Sequence, residues 1–413
     1  MNLTPLRRLV GVLALVVAVT ASAPVFPQSG MLPDAPGTWK PWKPFSAVAS
    51  ERQALAATPA LVKAFEAELL ALNDILRRAK GVASPVGFSV ETWGHLAGTR
   101  AYEHSPGQPA ASVLPISGAL SFGAFPIYEL VRNGKTIRVD TGETALQQFW
   151  VNLIEPFLFK PLHVPELSVA DSDAFLKPMP QGEIAGLPRY GDALVIARDP
   201  AALWTPLSQR AALDLVGVVR QRSMADLEET VQKHNARLAV IRDPAYRTKR
   251  MQEAKEAAAT MPNPQAFLKT IEESLGVEEA SLVKELSPTG SAGKGLLEAK
   301  RALAEVTDWI AELSPAQQAA PACYSAKGTT LRARFPTAPS GDCHPLVRPN
   351  YGYFNKTLPR SAPQVLIITG ITRCFDTADK HNLEANAPSP SGCRANRALV
   401  ETMEKSAIRA WLR

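Results

Sequence analysis

The chain has 413 residues, a formal net charge of +6 at pH 7 and no run of five or more like charges. Nucleic-acid binding requires basic residues clustered to neutralise phosphates, so this charge pattern argues against a nucleic-acid partner. Hydrophobic residues make up 46% of the chain and charged residues 20%, which is typical of a globular protein. Since one hydrophobic core rarely serves a chain of this length, we expect more than one packed unit.

The first 21 residues have the pattern of a secretory signal peptide. Arg7 and Arg8 precede an apolar run over residues 9–19, and small residues follow at 20–23. The run is shorter than the roughly 20 apolar residues of a spanning helix, which argues against an uncleaved anchor. We therefore expect cleavage before Ser22, a periplasmic or secreted protein, and no membrane span after cleavage. The two arginines leave both the Sec and the twin-arginine export routes open.

Residues 22–55 are predicted to form a proline-rich N-terminal arm. Its main feature is the segment from Trp39 to Phe45, in which lysine-proline pairs separate the aromatic residues. Such a segment can serve as an extended recognition motif. Because tryptophan is usually largely buried, we expect the arm to pack on the body of the protein.

Residues 56–204 are predicted to contain a helix that packs on an antiparallel sheet. Thr58 can cap a helix that has Pro59 at its first position. Apolar residues then recur at helical spacing as far as Leu76, and Gly81 can end the helix. A single apolar stripe of this kind needs a sheet or another helix to cover it.

The strands of this region follow the helix in sequence. Asn133-Gly134 lies between two alternating runs, which is a strong signal for a β-hairpin. Residues 146–159 are apolar and fit either a strand or a helix, whereas 160–188 are rich in proline and predict a long connection. The remaining predicted strands are 88–93, 113–122, 127–131 and 193–197.

Residues 205–315 are predicted to be mostly helical. Asn263 can cap a helix that begins at Pro264, and apolar residues keep a helical period from there to Leu313. The many mixed charges in these helices indicate solvated faces supported by pairs of opposite charge one turn apart.

Residues 316–413 hold all four cysteines. No Cys-x-x-Cys pair occurs, so neither a redox pair nor a zinc knuckle is indicated. Two disulfides are the default in an exported protein, and four cysteines allow three connectivities. We expect Cys323 with Cys343 and Cys374 with Cys393, because each pair closes a compact loop. Short strands at 329–335 and 364–369 and a closing helix over 397–411 complete this region.

The predicted fold class is therefore α+β. An N-terminal helix packs on an antiparallel sheet, a helical region follows, and a disulfide-stapled C-terminal region carries short strands.

Two polar groups are candidates for a metal or catalytic site. Asp376, Asp379 and His381 lie close together in sequence, and Glu91 and His95 share one face of a predicted strand. Carboxylates and imidazoles can bind zinc or another divalent ion. Neither spacing matches a known ligand pattern, and a capped turn and a polar sheet face explain the two groups more simply. We therefore predict no metal and no cofactor.

Other motifs give weaker signals. No Gly-x-Ser-x-Gly elbow occurs, and Ser291-Ala-Gly-Lys294 lacks the partner motifs of a serine-lysine enzyme. Tyr351 and Tyr353 could contact a carbohydrate or a peptide if they were exposed, but we expect them to fill the core.

The sequence favours a non-catalytic binding or scaffolding protein with a protein, peptide or carbohydrate ligand. The alternative is a secreted hydrolase whose site is assembled from scattered His and Asp/Glu residues. The sequence does not decide whether the protein is an enzyme.

Overall fold

The computed structural model describes residues 30–97, 111–132, 135–140, 145–158, 167, 174–338, 341–375 and 390–413. The predicted signal peptide at 1–21 lies outside these residues. The chain divides into two compact units. The described part of one is Gln209–Ala320, and the other holds the described residues of Val25–Ser208 and Pro321–Arg413. Among the described helices, none combines the length and apolar character needed to cross a membrane.

The predicted α+β class is confirmed. The described strands are β1 (Phe88–Leu96), β2 (Gly118–Pro126), β3 (Tyr128–Arg132), β4 (Lys135–Val139), β5 (Ala145–Val151), β6 (Phe175–Leu176), β7 (Glu183–Ile184), β8 (Leu187–Tyr190), β9 (Ala193–Ile196), β10 (Trp204–Pro206), β11 (Cys323–Tyr324), β12 (His344–Pro349) and β13 (Leu366–Thr369). The described α-helices are α1 (Ala49–Ala54), α2 (Pro59–Arg77), α3 (Lys80–Ala83), α4 (Gln209–Arg242), α5 (Pro244–Ala258), α6 (Pro264–Leu286), α7 (Ser291–Glu312), α8 (Pro315–Ala319), α9 (Leu331–Arg334), α10 (Thr372–Phe375), α11 (Pro390–Thr402) and α12 (Lys405–Trp411).

A seven-stranded sheet of order β1-β2-β5-β13-β9-β8-β7 is the centre of the larger unit, and every neighbouring pair in it is antiparallel. Its middle strand, β13, comes from the four-cysteine region, so residues 56–204 and 316–413 contribute to one sheet. A second sheet forms around β12, which pairs with β10, β11 and β6. The strands β3 and β4 form the hairpin predicted around Asn133-Gly134, two residues that lie outside the described part.

Helices cover one face of the large sheet. The Thr58 hydroxyl accepts a hydrogen bond from the Leu61 N–H, and Pro59 occupies the first position, as predicted for α2. Its stripe of Phe65, Leu69, Leu72 and Leu76 is buried against β1 and β2. The helix α11 packs on the same strands and on β5. We call this the helix face. It carries Val90, and it carries Leu120, Phe149 and Ile368, which the strand register aligns in one row.

The N-terminal arm packs on the body, as expected, and it does so along the outer edge of β1. The N–H groups of Lys40, Lys43 and Ser46 donate to the carbonyls of Val90, Thr92 and Gly94, so three arm residues pair with every two strand residues. This spacing accommodates the prolines, which have no N–H to donate. The arm aromatics Trp39, Trp42 and Phe45 pack against the core. A Cβ at Gly94 would lie 2.9 Å from both Trp42 and Phe45, so only glycine leaves room for these rings.

Two polar side chains tie the segments of this unit together. The buried Asn152 has φ 57°, and its amide donates to the carbonyls of Ile116 and Ala362 while accepting from the Gln364 N–H. The Arg360 guanidinium donates to four backbone carbonyls in two stretches of chain. These are Leu114 at 2.7 Å, Ala56 at 3.0 Å, Leu55 at 2.6 Å and Ala111 at 2.8 Å.

The unit Gln209–Ala320 is helical, in agreement with the prediction of helices over this part of the chain. Gly217 of α4 lies near Val306 of α7, and Gly295 of α7 near Leu227 of α4, so these helices run antiparallel. Asn263 caps α6 through the Ala266 N–H, as predicted. Ion pairs join the helices on the surface, including Arg237 with Glu278, Arg242 with Glu279 and Lys300 with Glu228.

Both predicted disulfides form, with the expected pairing. Cys323 joins Cys343 and Cys374 joins Cys393. The first links β11 to the loop before β12, and the second links α10 to α11.

Several predicted elements were wrong in kind or in extent. Residues 329–335 contain the short helix α9 instead of a strand, because the Thr330 hydroxyl caps it through the Ala333 N–H. The closing helix is two helices, α11 and α12, with a break at residues 403–404. The predicted connection at 160–188 contains β6 and β7 and the start of β8. The strand predicted from Val113 begins only at Gly118.

Candidate functional site

The most distinctive surface lies on the face of the large sheet opposite the helix face. Successive strand residues point to opposite faces, so Glu91, Trp93 and His95 of β1 all lie on this second face. The register places Trp93 beside Ser121 of β2, and His95 beside Ala119. On β5 the same rows continue as Gln148 and Trp150.

Four partly exposed rings stand on these strands: Trp93, His95, Phe125 and Trp150. We call them the aromatic face. The residues of β2 beneath them, Ala119, Ser121 and Gly123, are small and buried. A Cβ at Gly123 would lie 2.9 Å from the Phe125 ring and 3.4 Å from the Trp93 ring, so the glycine lets both rings lie against the strand.

The rings are held in place by specific contacts. His95 and Trp150 meet edge to face with centroids 5.9 Å apart, and the Trp150 indole N–H donates to the Thr369 hydroxyl at 2.9 Å. The Lys43 ammonium lies 5.2 Å from the Trp93 centroid, and the Lys40 ammonium lies 5.5 Å from that of Phe125. Such cation–π contacts contribute about 0.5–1 kcal/mol each at exposed sites. The arm thus supplies both lysines of this surface.

Two lysines and two carboxylates beside the aromatic face pair and balance one another. Lys40 pairs with Glu91 at 2.7 Å and with Asp140 at 3.0 Å, and Lys43 also pairs with Glu91. Burial raises the pKa of Glu91, but the hydrogen bonds from Lys40 and Lys43 outweigh it and leave this pKa below its ordinary value. The pKa of Asp140 is likewise lowered: burial opposes the shift, and hydrogen bonds from Ser89 and Lys40 outweigh it.

The surroundings of His95 favour its uncharged form. Burial lowers its pKa below the ordinary value of 6.5, and the negative charge of Glu51 opposes this only in part. Glu91 lies four residues away on the same strand, about 13 Å along it, and its two oxygens face Lys40 and Lys43. The predicted candidates Glu91 and His95 therefore share a face, but they do not form an acid–base pair.

The remaining candidate residues are two tyrosines and the group of Asp376, Asp379 and His381. The three residues of that group lie outside the described residues. Tyr351 is buried, and its hydroxyl donates to the Glu155 carboxylate at 2.7 Å. Tyr353 is partly exposed, and its hydroxyl accepts from the Arg198 N–H. Among described residues, no group of three His, Cys, Asp or Glu side chains could hold a metal ion.

The sequence alone does not single out Trp93, Phe125 and Trp150 as site residues. The signal for Trp93 was present, because alternation along 88–93 places it on the same strand face as Glu91. Trp150 lies in the stretch that fitted either a strand or a helix, so its direction could not be assigned.

Comparison with known proteins gives no relative: no family model, no curated protein and no solved structure matches the chain. Any functional conclusion therefore depends on the chemistry of the aromatic face itself.

Proposed function

We propose that the protein is a non-catalytic binding protein that acts in the periplasm or outside the cell and holds its ligand on the aromatic face. One observation carries this proposal: four partly exposed rings stand side by side on adjoining antiparallel strands. Tryptophan and other aromatic residues are enriched where proteins bind partners, because they bury large areas at little cost in side-chain entropy.

The scaffold under the rings supports this role. A binding site works best on rigid elements whose side chains are fixed by neighbouring contacts. The Trp150 indole is fixed by Thr369, and the lysines over Trp93 and Phe125 are anchored by carboxylates. The two disulfides are compatible with an oxidising compartment.

The test is a binding screen of the mature chain against immobilised glycans and peptides, with each bound ligand recovered and weighed by mass spectrometry. We expect intact ligand to be recovered and binding to be lost in the double variant Trp93→Ala/Trp150→Ala. Tyr353→Ala is the matched control, because it removes a partly exposed ring outside the aromatic face. Recovery of a cleaved ligand, with cleavage lost in His95→Ala, would show instead that the protein is a hydrolase.

A further inference from the structure

We propose that the ligand of the aromatic face is an uncharged, linear polysaccharide segment lying across β1, β2 and β5. This inference rests on the proposed binding function and specifies the chemical class of the ligand. Three features support it: the spacing of the rings, the balance of the charges and the coverage of the sheet edge.

The spacing of the tryptophans suits an extended ligand. Trp93 and Trp150 are separated by two strand spacings across the sheet and by two residues along it. Their Cα atoms therefore lie about 12 Å apart, which a single sugar cannot bridge and a chain of sugars can. The face of an aromatic ring carries partial negative charge, which attracts the polarised C–H groups of a sugar ring.

The charges favour a neutral ligand. The charges of Lys40, Lys43, Glu91 and Asp140 sum to zero and pair with one another, so these four groups give a polyanion or a polycation no net attraction. Their remaining hydrogen-bonding capacity suits hydroxyl groups, which both donate and accept. Gln148 lies on this face in the row of Trp93 and adds an amide that can do the same.

The edge of the sheet argues against a peptide. Extended peptides gain much of their affinity by adding a strand to an open sheet edge. Beside the aromatic face that edge belongs to β1, and the arm already pairs with its backbone from Val90 to Leu96. A peptide on the aromatic face would therefore bind without main-chain pairing, whereas a sugar chain needs none.

The experiment measures binding to the full mature chain by calorimetry and by indole fluorescence. The probes are cellohexaose and chitohexaose as neutral chains, an acidic hexagalacturonate, and a proline-rich decapeptide. We expect a neutral hexaose to bind with little dependence on salt, and Trp93→Ala or Trp150→Ala to weaken that binding about tenfold or more. Trp150→Phe keeps a ring at the site and is expected to retain binding within about threefold. Thermal midpoints confirm that each variant is folded.

Several results would overturn the inference. They are salt-sensitive binding of the acidic hexamer alone, hexaose binding that both alanine variants retain, and no binding of any neutral chain. Binding of the decapeptide that depends on Trp93 and Trp150 would refute the polysaccharide and leave the proposed binding function standing. Cleavage of the hexaose would refute the binding function itself.

Discussion

Replacing Arg360 by lysine is expected to lower the free energy of unfolding by about 3 kcal/mol. The guanidinium donates to four backbone carbonyls, at residues 55, 56, 111 and 114. A lysine ammonium keeps the charge but lacks the planar fork, so we expect it to reach two of the four. Each of the two carbonyls left without a partner costs about 1–3 kcal/mol, and about 1.5 kcal/mol for each gives the total.

Urea denaturation followed by near-ultraviolet circular dichroism, with the disulfides intact, measures this loss. For a unit of this size, about 3 kcal/mol corresponds to a fall in Tm of roughly 6–12 °C. The matched control is Arg409→Lys, because Arg409 is exposed on α12 and is expected to change stability by less than about 0.5 kcal/mol. If Arg360→Lys is as stable as that control, then the four contacts do not hold these segments together.

Substitutions at three further residues test other parts of the larger unit. Asn152→Gly keeps the positive φ but loses three buried hydrogen bonds, so we expect the free energy of unfolding, measured in urea, to fall by about 3 kcal/mol. Asn152→Ala should lower it by about 1 kcal/mol more, because alanine is strained at positive φ. Equal losses in the two variants would contradict the role of φ. Glu91→Gln should lower the free energy of unfolding by about 1–2 kcal/mol at pH 7. This cost should shrink as the pH falls from the ordinary glutamate pKa of 4.5 towards the lowered pKa of the folded protein, because Glu91 then takes up a proton in the unfolded wild type before it does so in the folded one. The exposed Glu183→Gln is the control. Because the pKa of His95 is lowered on folding, the unfolded chain binds more protons below about pH 6.5. The wild type should therefore lose stability as the pH falls from 6.5 towards the pKa of His95 in the folded protein. The variant His95→Gln should lose less stability over the same pH range. Parallel plots of unfolding free energy against pH for the two proteins would refute this reasoning.

The sequence predicted those parts of the fold whose signals are local. Thr58 and Pro59 marked the start of α2, and Asn263 and Pro264 marked that of α6, because a cap and a proline act on the adjacent turn alone. Compact loops also sufficed to pair the cysteines. Short elements gave too little periodicity: β6 and β7 have two residues each, and α9 was mistaken for a strand because four residues distinguish the two patterns poorly.

Contacts between residues far apart in sequence limited how much of the candidate site could be predicted. The arm carries no strand pattern, since its prolines interrupt it, and only contact with β1 shows that its lysines reach Glu91. Phe125 and Trp150 join the aromatic face through the registers of β2 with β1 and with β5. Alternation along one strand does not show which residues of the neighbouring strand it pairs with, so these registers could not be predicted from the sequence.

The position of β13 sets the order in which the larger unit can assemble. Its neighbour β5 ends at Val151, and β13 begins only at Leu366. At about 5–20 residues per second, a ribosome needs roughly 10–40 s to synthesise the intervening chain. During that time the edge of β5, which carries Phe149 and Val151, lacks its partner strand β13. The nascent chain therefore has an open, apolar strand edge until Leu366–Thr369 are synthesised, and a chain truncated before Leu366 is expected to aggregate instead of folding.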